Sequence, residues 1–190
     1  MDNKEAIIRA AIDLINEKES DISSITLREI CKRANVGLGL VNYHFGSKEK
    51  LLELCVERVI KSIVDKFQSM EEDNTDLSPI DRLEYLGNLT FTFLFQHQGL
   101  SRISILADME NPRPEDNTHR TYAAYLPLVA ACRRDWDQKT LELKTFTLIA
   151  GMQQAFLRQE VIRAIKGIDL TDANARSAFH SHLLQDILEV

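Results

Sequence analysis

A chain of 190 residues with 44% hydrophobic side chains can bury a real core, as one ordinary domain or a small domain joined to a larger one, which excludes disorder. Its net charge of −6 at pH 7 excludes a protein whose whole surface binds nucleic acid. No run approaches the roughly 18 apolar residues of a membrane span. The start, MDNKEAIIRA, lacks the basic flank, apolar centre and cleavage site of a secretory signal, so a cytoplasmic location is expected.

Every segment reads as helix. Asp2 and Glu5 form a possible capping box for a first helix ending near residue 19, with Ile8, Ala11, Ile12 and Ile15 on one face. The acidic loop Glu19-Ser20-Asp21 follows. Residues 26–34 make a short helix in which Thr26 and Glu29 form a T-x-x-E capping box. Leu27, Ile30, Cys31 and Ala34 share its buried face. Asn35-Val36-Gly37 is a break, with Gly37 available for a positive φ. Residues 38–45 resume a helix of barely two turns, which Gly46-Ser47 closes. Two short helices joined by a tight Gly-containing turn make a helix-turn-helix, whose second helix enters the major groove.

A longer helix follows over 51–69, with an apolar ladder of Leu52, Cys55, Val56, Val59, Ile60, Ile63 and Phe67. After a polar break at 74–78, Ser78-Pro79 starts a helix running to about residue 97. A short helix over 102–109 stops at Asn111-Pro112-Arg113-Pro114. The next, over 118–136, contains Pro127 and is expected to kink there. Another runs from about 139 towards 166, residues 167–172 form a loop, and a last helix covers 173–188. The count is about nine helices in an all-α chain, divided into a head over 1–47 and a body over 48–190. Cys31, Cys55 and Cys132 lie in apolar helical patterns and are expected to be buried, reduced thiols.

Between residues 24 and 50 five cations (Arg28, Lys32, Arg33, Lys48, Lys50) face two anions (Glu29, Glu49), a local charge of +3 on a chain of −6. A basic spot on an acidic body suits one face docking on phosphates. Leu38 and Leu40 offer methyl groups suited to thymine, Asn42 can pair with adenine, and Tyr43 and His44 can reach phosphates. Gly37 and Gly39 permit close approach to the DNA backbone, while Val36, Val41 and Phe45 belong to the core.

The helix-turn-helix and its continuation, Val36-Gly37-x-Gly39-x-Val41-x-x-His44-Phe45-x-Ser47-Lys48-Glu49-x-Leu51-Leu52, resemble the DNA-binding segment of the TetR family over roughly the first 60 residues. One departure is Asn42, where the family usually carries Tyr, with Tyr43 one position later. The resemblance implies that Thr26, Arg28 and Lys48 join the recognition-helix residues at double-stranded DNA, Arg28 from a position that reaches a base in some members. It also implies an inducer cavity among the middle helices, with Asn88, Thr92, Phe95, Met109, Tyr122, Tyr125 and Gln153 as candidates. Finally, it implies a homodimer built by the last two helices, through Phe146, Ile149, Gln153, Phe179, Leu183 and Ile187.

Phosphate-binding Gly loops, nucleophile elbows and catalytic carboxylate pairs are absent from the pattern, so an enzyme is not expected. His180 and His182 diverge on a helix and cannot chelate one metal; no metal or cofactor is implied. The expected function is a transcriptional regulator, a repressor released from a palindromic operator by a small-molecule inducer. The alternative is an architectural or cell-cycle DNA-binding protein on the same fold without a ligand.

Overall fold

The computed structural model describes residues 2–18, 24–73 and 77–189, with the backbone alone over 63–73. The acidic loop at 19–21, residues 74–76 of the polar break, and the Ile63 and Phe67 side chains lie outside the described residues. Ten helices occupy the described residues, with no strand among them: α1 (Asn3–Glu17), α2 (Leu27–Ala34), α3 (Leu38–Phe45), α4 (Lys48–Asp73), α5 (Pro79–Gln96), α6 (Gln98–Glu110), α7 (Asn117–Cys132), α8 (Gln138–Leu157), α9 (Gln159–Lys166) and α10 (Ala173–Leu188).

The chain packs as two units, residues 1–62 with 97–106, and residues 63–96 with 107–190. Two helices, α4 and α6, are therefore continuous from one unit into the other. In the first unit the apolar faces of α1, α2, α3 and the start of α4 close around Ile7, Ile8, Ala11, Ile15, Ile30, Val41, Phe45, Leu51 and Cys55. Leu100 of α6, 1% exposed, completes this core. Nearby, His97 Nδ1 and Asn16 Oδ1 lie 3.1 Å apart and share a hydrogen bond. Outside, Arg58 of α4 forks onto Glu5 of α1.

In the second unit α8 packs against α7 and α10, and α5 touches all three. Glycine allows two close approaches. The His180 ring lies over Gly87, 1.8 Å from where a Cβ would sit, and Leu183 lies over Gly151 at 3.2 Å. Aspartates cap the helix starts here: Asp116, Asp137 and Asp172 accept from the amides of His119, Thr140 and Ala175.

Three local features differ from expectation. The left-handed residue between α2 and α3 is Asn35 (φ 53), while Gly37 is extended at φ −76. Asn tolerates this conformation because its short polar side chain bonds locally. Asp2 caps α1 by accepting from Lys4 N. The helix expected to run on to 166 breaks at Arg158 (φ −110, ψ 20), so α8 and α9 are separate and the count rises to ten. Cys31 and Cys55 are buried and free, Cys132 is free but half-buried, and burial pushes the Cys55 thiol up to about 12.

Candidate nucleic-acid interface

Helix α2 is held at both ends. Thr26 N donates to Glu29 Oε2 at 2.9 Å, and Glu29 N donates to Thr26 Oγ1 at 3.2 Å, the reciprocal pair of a capping box. Lys18 also donates to Glu29 at 2.7 Å, and this bond, with those from Thr26, lowers the Glu29 carboxyl to about 2. At the other end the Asn35 amide returns to Cys31 and Lys32 carbonyls, closing α2 where the chain must turn.

The rotation of α3 follows from its own apolar pair. Val41 and Phe45 point inward at 1% and 5% exposure, so the opposite face is left outside. Tyr43 is 83% exposed and Leu38 42%, and Gly37, Gly39 and Asn42 are exposed too. Leu40 and His44 are half-buried, and the Tyr43 and His44 rings meet edge-on at 5.2 Å. Thr26 and Arg28 are exposed at the start of α2, and Lys48 is half-buried in the first turn of α4. All ten residues expected at DNA thus sit in α2, α3 or their flanks, outside the core. Arg33, one of the five cations, forks onto Glu17 at 2.5 and 2.7 Å, which ties its charge to α1.

The model of bacterial regulatory proteins of the tetR family matches residues 7–55, from within α1 to the first turns of α4. The head of this chain is thus similar to the DNA-binding segment of that family.

The nucleoid occlusion factor SlmA of Aliivibrio fischeri is 28% identical over 100 residues, covering 53% of this chain and 50% of that protein. The transcriptional regulator BetI of Paraburkholderia phymatum is 32% identical over 50 residues, 26% of each chain. The chain spans half or less of the length of these curated relatives. In fold it is similar to FadR of Thermus thermophilus, a TetR-family repressor solved with lauroyl-CoA, at a TM-score of 0.66 and 20% identity over 98% of this chain and 93% of that one.

The second unit holds an open cleft of about 720 Å³, walled by the end of α6, the start of α7 and the outer side of α8. Met109, Tyr122, Leu143, Phe146 and Ile149 supply its apolar lining, and Arg113, Lys139, Asp116 and Glu142 also line it. At one end Asp108, 8% exposed, accepts from Thr118 N at 2.8 Å and Thr118 Oγ1 at 2.9 Å. Gln153 Nε2 donates to the same hydroxyl at 2.9 Å. Burial raises the Asp108 pKa against the pull of these bonds.

Three of the seven candidate pocket residues line the cleft: Met109, Tyr122 and Gln153. The other four, Asn88, Thr92, Phe95 and Tyr125, do not; Phe95 and Tyr125 are core, and the Tyr125 hydroxyl donates to Thr90 at 2.9 Å. The pairing of Asp108 with Thr118 has no local signal in the sequence, because it joins α6 to α7 across a loop of prolines and charges.

Of the six residues expected at a dimer face, Phe146 is 59% exposed, beside Leu143 at 62%. Ile149 and Ile187 are buried within the chain, Phe179 lies parallel to Phe91 at 6.1 Å, Leu183 covers Gly151, and Gln153 is bonded in the cleft. Leu143 and Phe146 are three apart on α8, a signal the sequence did contain. No group of three or more potential metal-ligating side chains occurs among the described residues, and no described helix is long and apolar enough to cross a membrane.

Proposed function

We propose that this chain is a sequence-specific, DNA-binding transcriptional repressor acting as a homodimer, released from its operator when a small molecule occupies the second unit. The observation that carries the reading is the outward face of α3, exposed within a head that matches the TetR model. Thr26, Arg28, Tyr43, His44 and Lys48 hold phosphates or reach base edges, and α3 lies in the major groove. The apolar cleft is the ligand site, an assignment that the ligand-bound FadR fold supports by analogy. Coupling runs along α4 and α6, each of which belongs to both units. A ligand preferring the released state by about 5.5 kcal/mol would carry the DNA-competent population from about 99% to 1%. The exposed Leu143 and Phe146 lie on the dimer face, because large apolar side chains on one helix face gain by pairing across a dyad.

The likeness to a nucleoid occlusion factor favours a second reading, an architectural or cell-cycle DNA-binding protein without a ligand. One experiment separates the two. Duplexes are selected from a random pool, and selected DNA is then titrated with the protein in the presence of a panel of amphipathic small molecules. Release by a compound whose effect is lost in Met109→Ala or Tyr122→Ala supports the repressor. Selection without release by any compound favours the second reading. Failure to select DNA at all removes both.

A further inference from the structure

The first turn of α3 carries no side chain that can hydrogen-bond to a base. It reads Leu38, Gly39, Leu40 after the Gly37 cap, and the first polar side chain on the helix is Asn42. In a helix-turn-helix the N-terminal residues of the second helix are the ones that meet base edges. Here those residues are Leu38, flanked by two glycines, and Leu40, which follows the second.

The fold does not require that arrangement. Gly37 lies at φ −76, and the positive-φ glycines are Gly46 and Gly167, so neither Gly37 nor Gly39 serves a left-handed turn. A Cβ added at either would meet nothing within 4 Å, so neither serves a close internal approach. Leu38 stands between them, 42% exposed, while Val41 and Phe45 satisfy the core. Only one base edge in the major groove offers an apolar group, the C5-methyl of thymine.

We infer that Leu38, with the half-buried Leu40 beside it, reads thymine methyl groups, so that the operator half-site carries a thymine where α3 enters the groove. The inference rests on the DNA-binding reading and adds how the base is chosen: by methyl contact at the start of α3, with the glycines clearing space for the approach.

The test uses the full-length protein and the duplex it selects. Each thymine of the half-site is replaced in turn by uracil, which removes the methyl group and leaves every hydrogen-bonding group in place. At one or two positions uracil should weaken wild-type binding about fourfold, the factor for one buried methyl. Leu38→Ala should bind the thymine duplex more weakly by a similar factor and be indifferent to uracil at that position. Leu38→Asn, which keeps the branched outline of the side chain with polar tips, should be equally indifferent; unchanged melting of both variants excludes misfolding. The inference is overturned if wild-type protein binds all uracil duplexes as tightly as the thymine duplex, if the selected half-site has no thymine, or if both variants keep the full uracil penalty. A protein that selects no DNA overturns the DNA-binding reading as well, so the two failures are distinguishable.

Discussion

His180 is wholly buried on α10, and neither ring nitrogen has a hydrogen-bond partner. Burial lowers its pKa to about 4, so the folded chain holds the imidazole neutral. Unfolded, the same group titrates near 6.5. Between those values the unfolded state binds a proton that the folded state refuses, and stability falls as pH falls. The stabilising share is complete above about pH 6.5 and lost by about pH 4, a difference on the order of 3 kcal/mol. His180→Leu should flatten that part of the pH profile; urea midpoints between pH 4 and 7 for both proteins measure it, and parallel curves would refute the assignment. Gly39 makes the opposite kind of residue test. Because its added Cβ meets open space inside a helix, Gly39→Ala should raise stability by about 0.5–1 kcal/mol while weakening DNA binding. A gain in both would mean the glycine does not face DNA. The left-handed Asn35 illustrates why single residues are hard to read: Gly37 offered the freer backbone, but the turn used the residue that closes α2.

Among the elements, α3 has two faces that separate folding from binding. Val41→Ala removes buried methyls and should lower stability by roughly 1–3 kcal/mol, with DNA affinity falling only as a consequence. Tyr43→Ala removes a side chain that is 83% exposed and should cost operator affinity while changing stability by no more than about 0.5 kcal/mol. Thermal melts beside DNA titrations decide it; an unstable Tyr43 variant with a stable Val41 variant would mean that α3 is rotated from the orientation described. The helix-turn-helix was legible because its signals are local: Thr26 and Glu29 three apart, Val41 and Phe45 four apart, Gly46 at the stop. The break at Arg158 was not, because no Gly or Pro marks it. Up to Phe156 the helix is anchored in the core, and beyond it α9 has no buried residue, leaving Val161 and Ile165 exposed. Leu183 was likewise illegible as a neighbour of Gly151, since such a pairing depends on which helices meet and not on spacing within either.

For the molecule as a whole, charge predicts a solution behaviour. The basic spot around α2, α3 and the start of α4 sits on a chain of net −6, so DNA affinity should fall steeply with salt, log K dropping by about 0.9 per phosphate for each unit of log salt. A flat response would remove the phosphate contacts assigned to the head. The exposed Leu143 and Phe146 predict a dimer in the absence of DNA, and Leu143→Glu with Phe146→Glu should yield a folded monomer in light scattering. A wild-type monomer at micromolar concentration would sink that face. The cleft was only partly legible, since Met109, Tyr122 and Gln153 come from three helices whose meeting no local pattern encodes. One feature then sets how the molecule melts. Leu100, near the start of α6, fills the core of the first unit, and Asp108, near its end, holds the first turn of α7 in the second. Unfolding either unit releases one end of that helix. Unfolding should therefore be a single cooperative transition, with calorimetric and van't Hoff enthalpies in agreement. A head cut off after residue 62 would have a void where Leu100 belongs, and would melt well below the intact chain that supplies it.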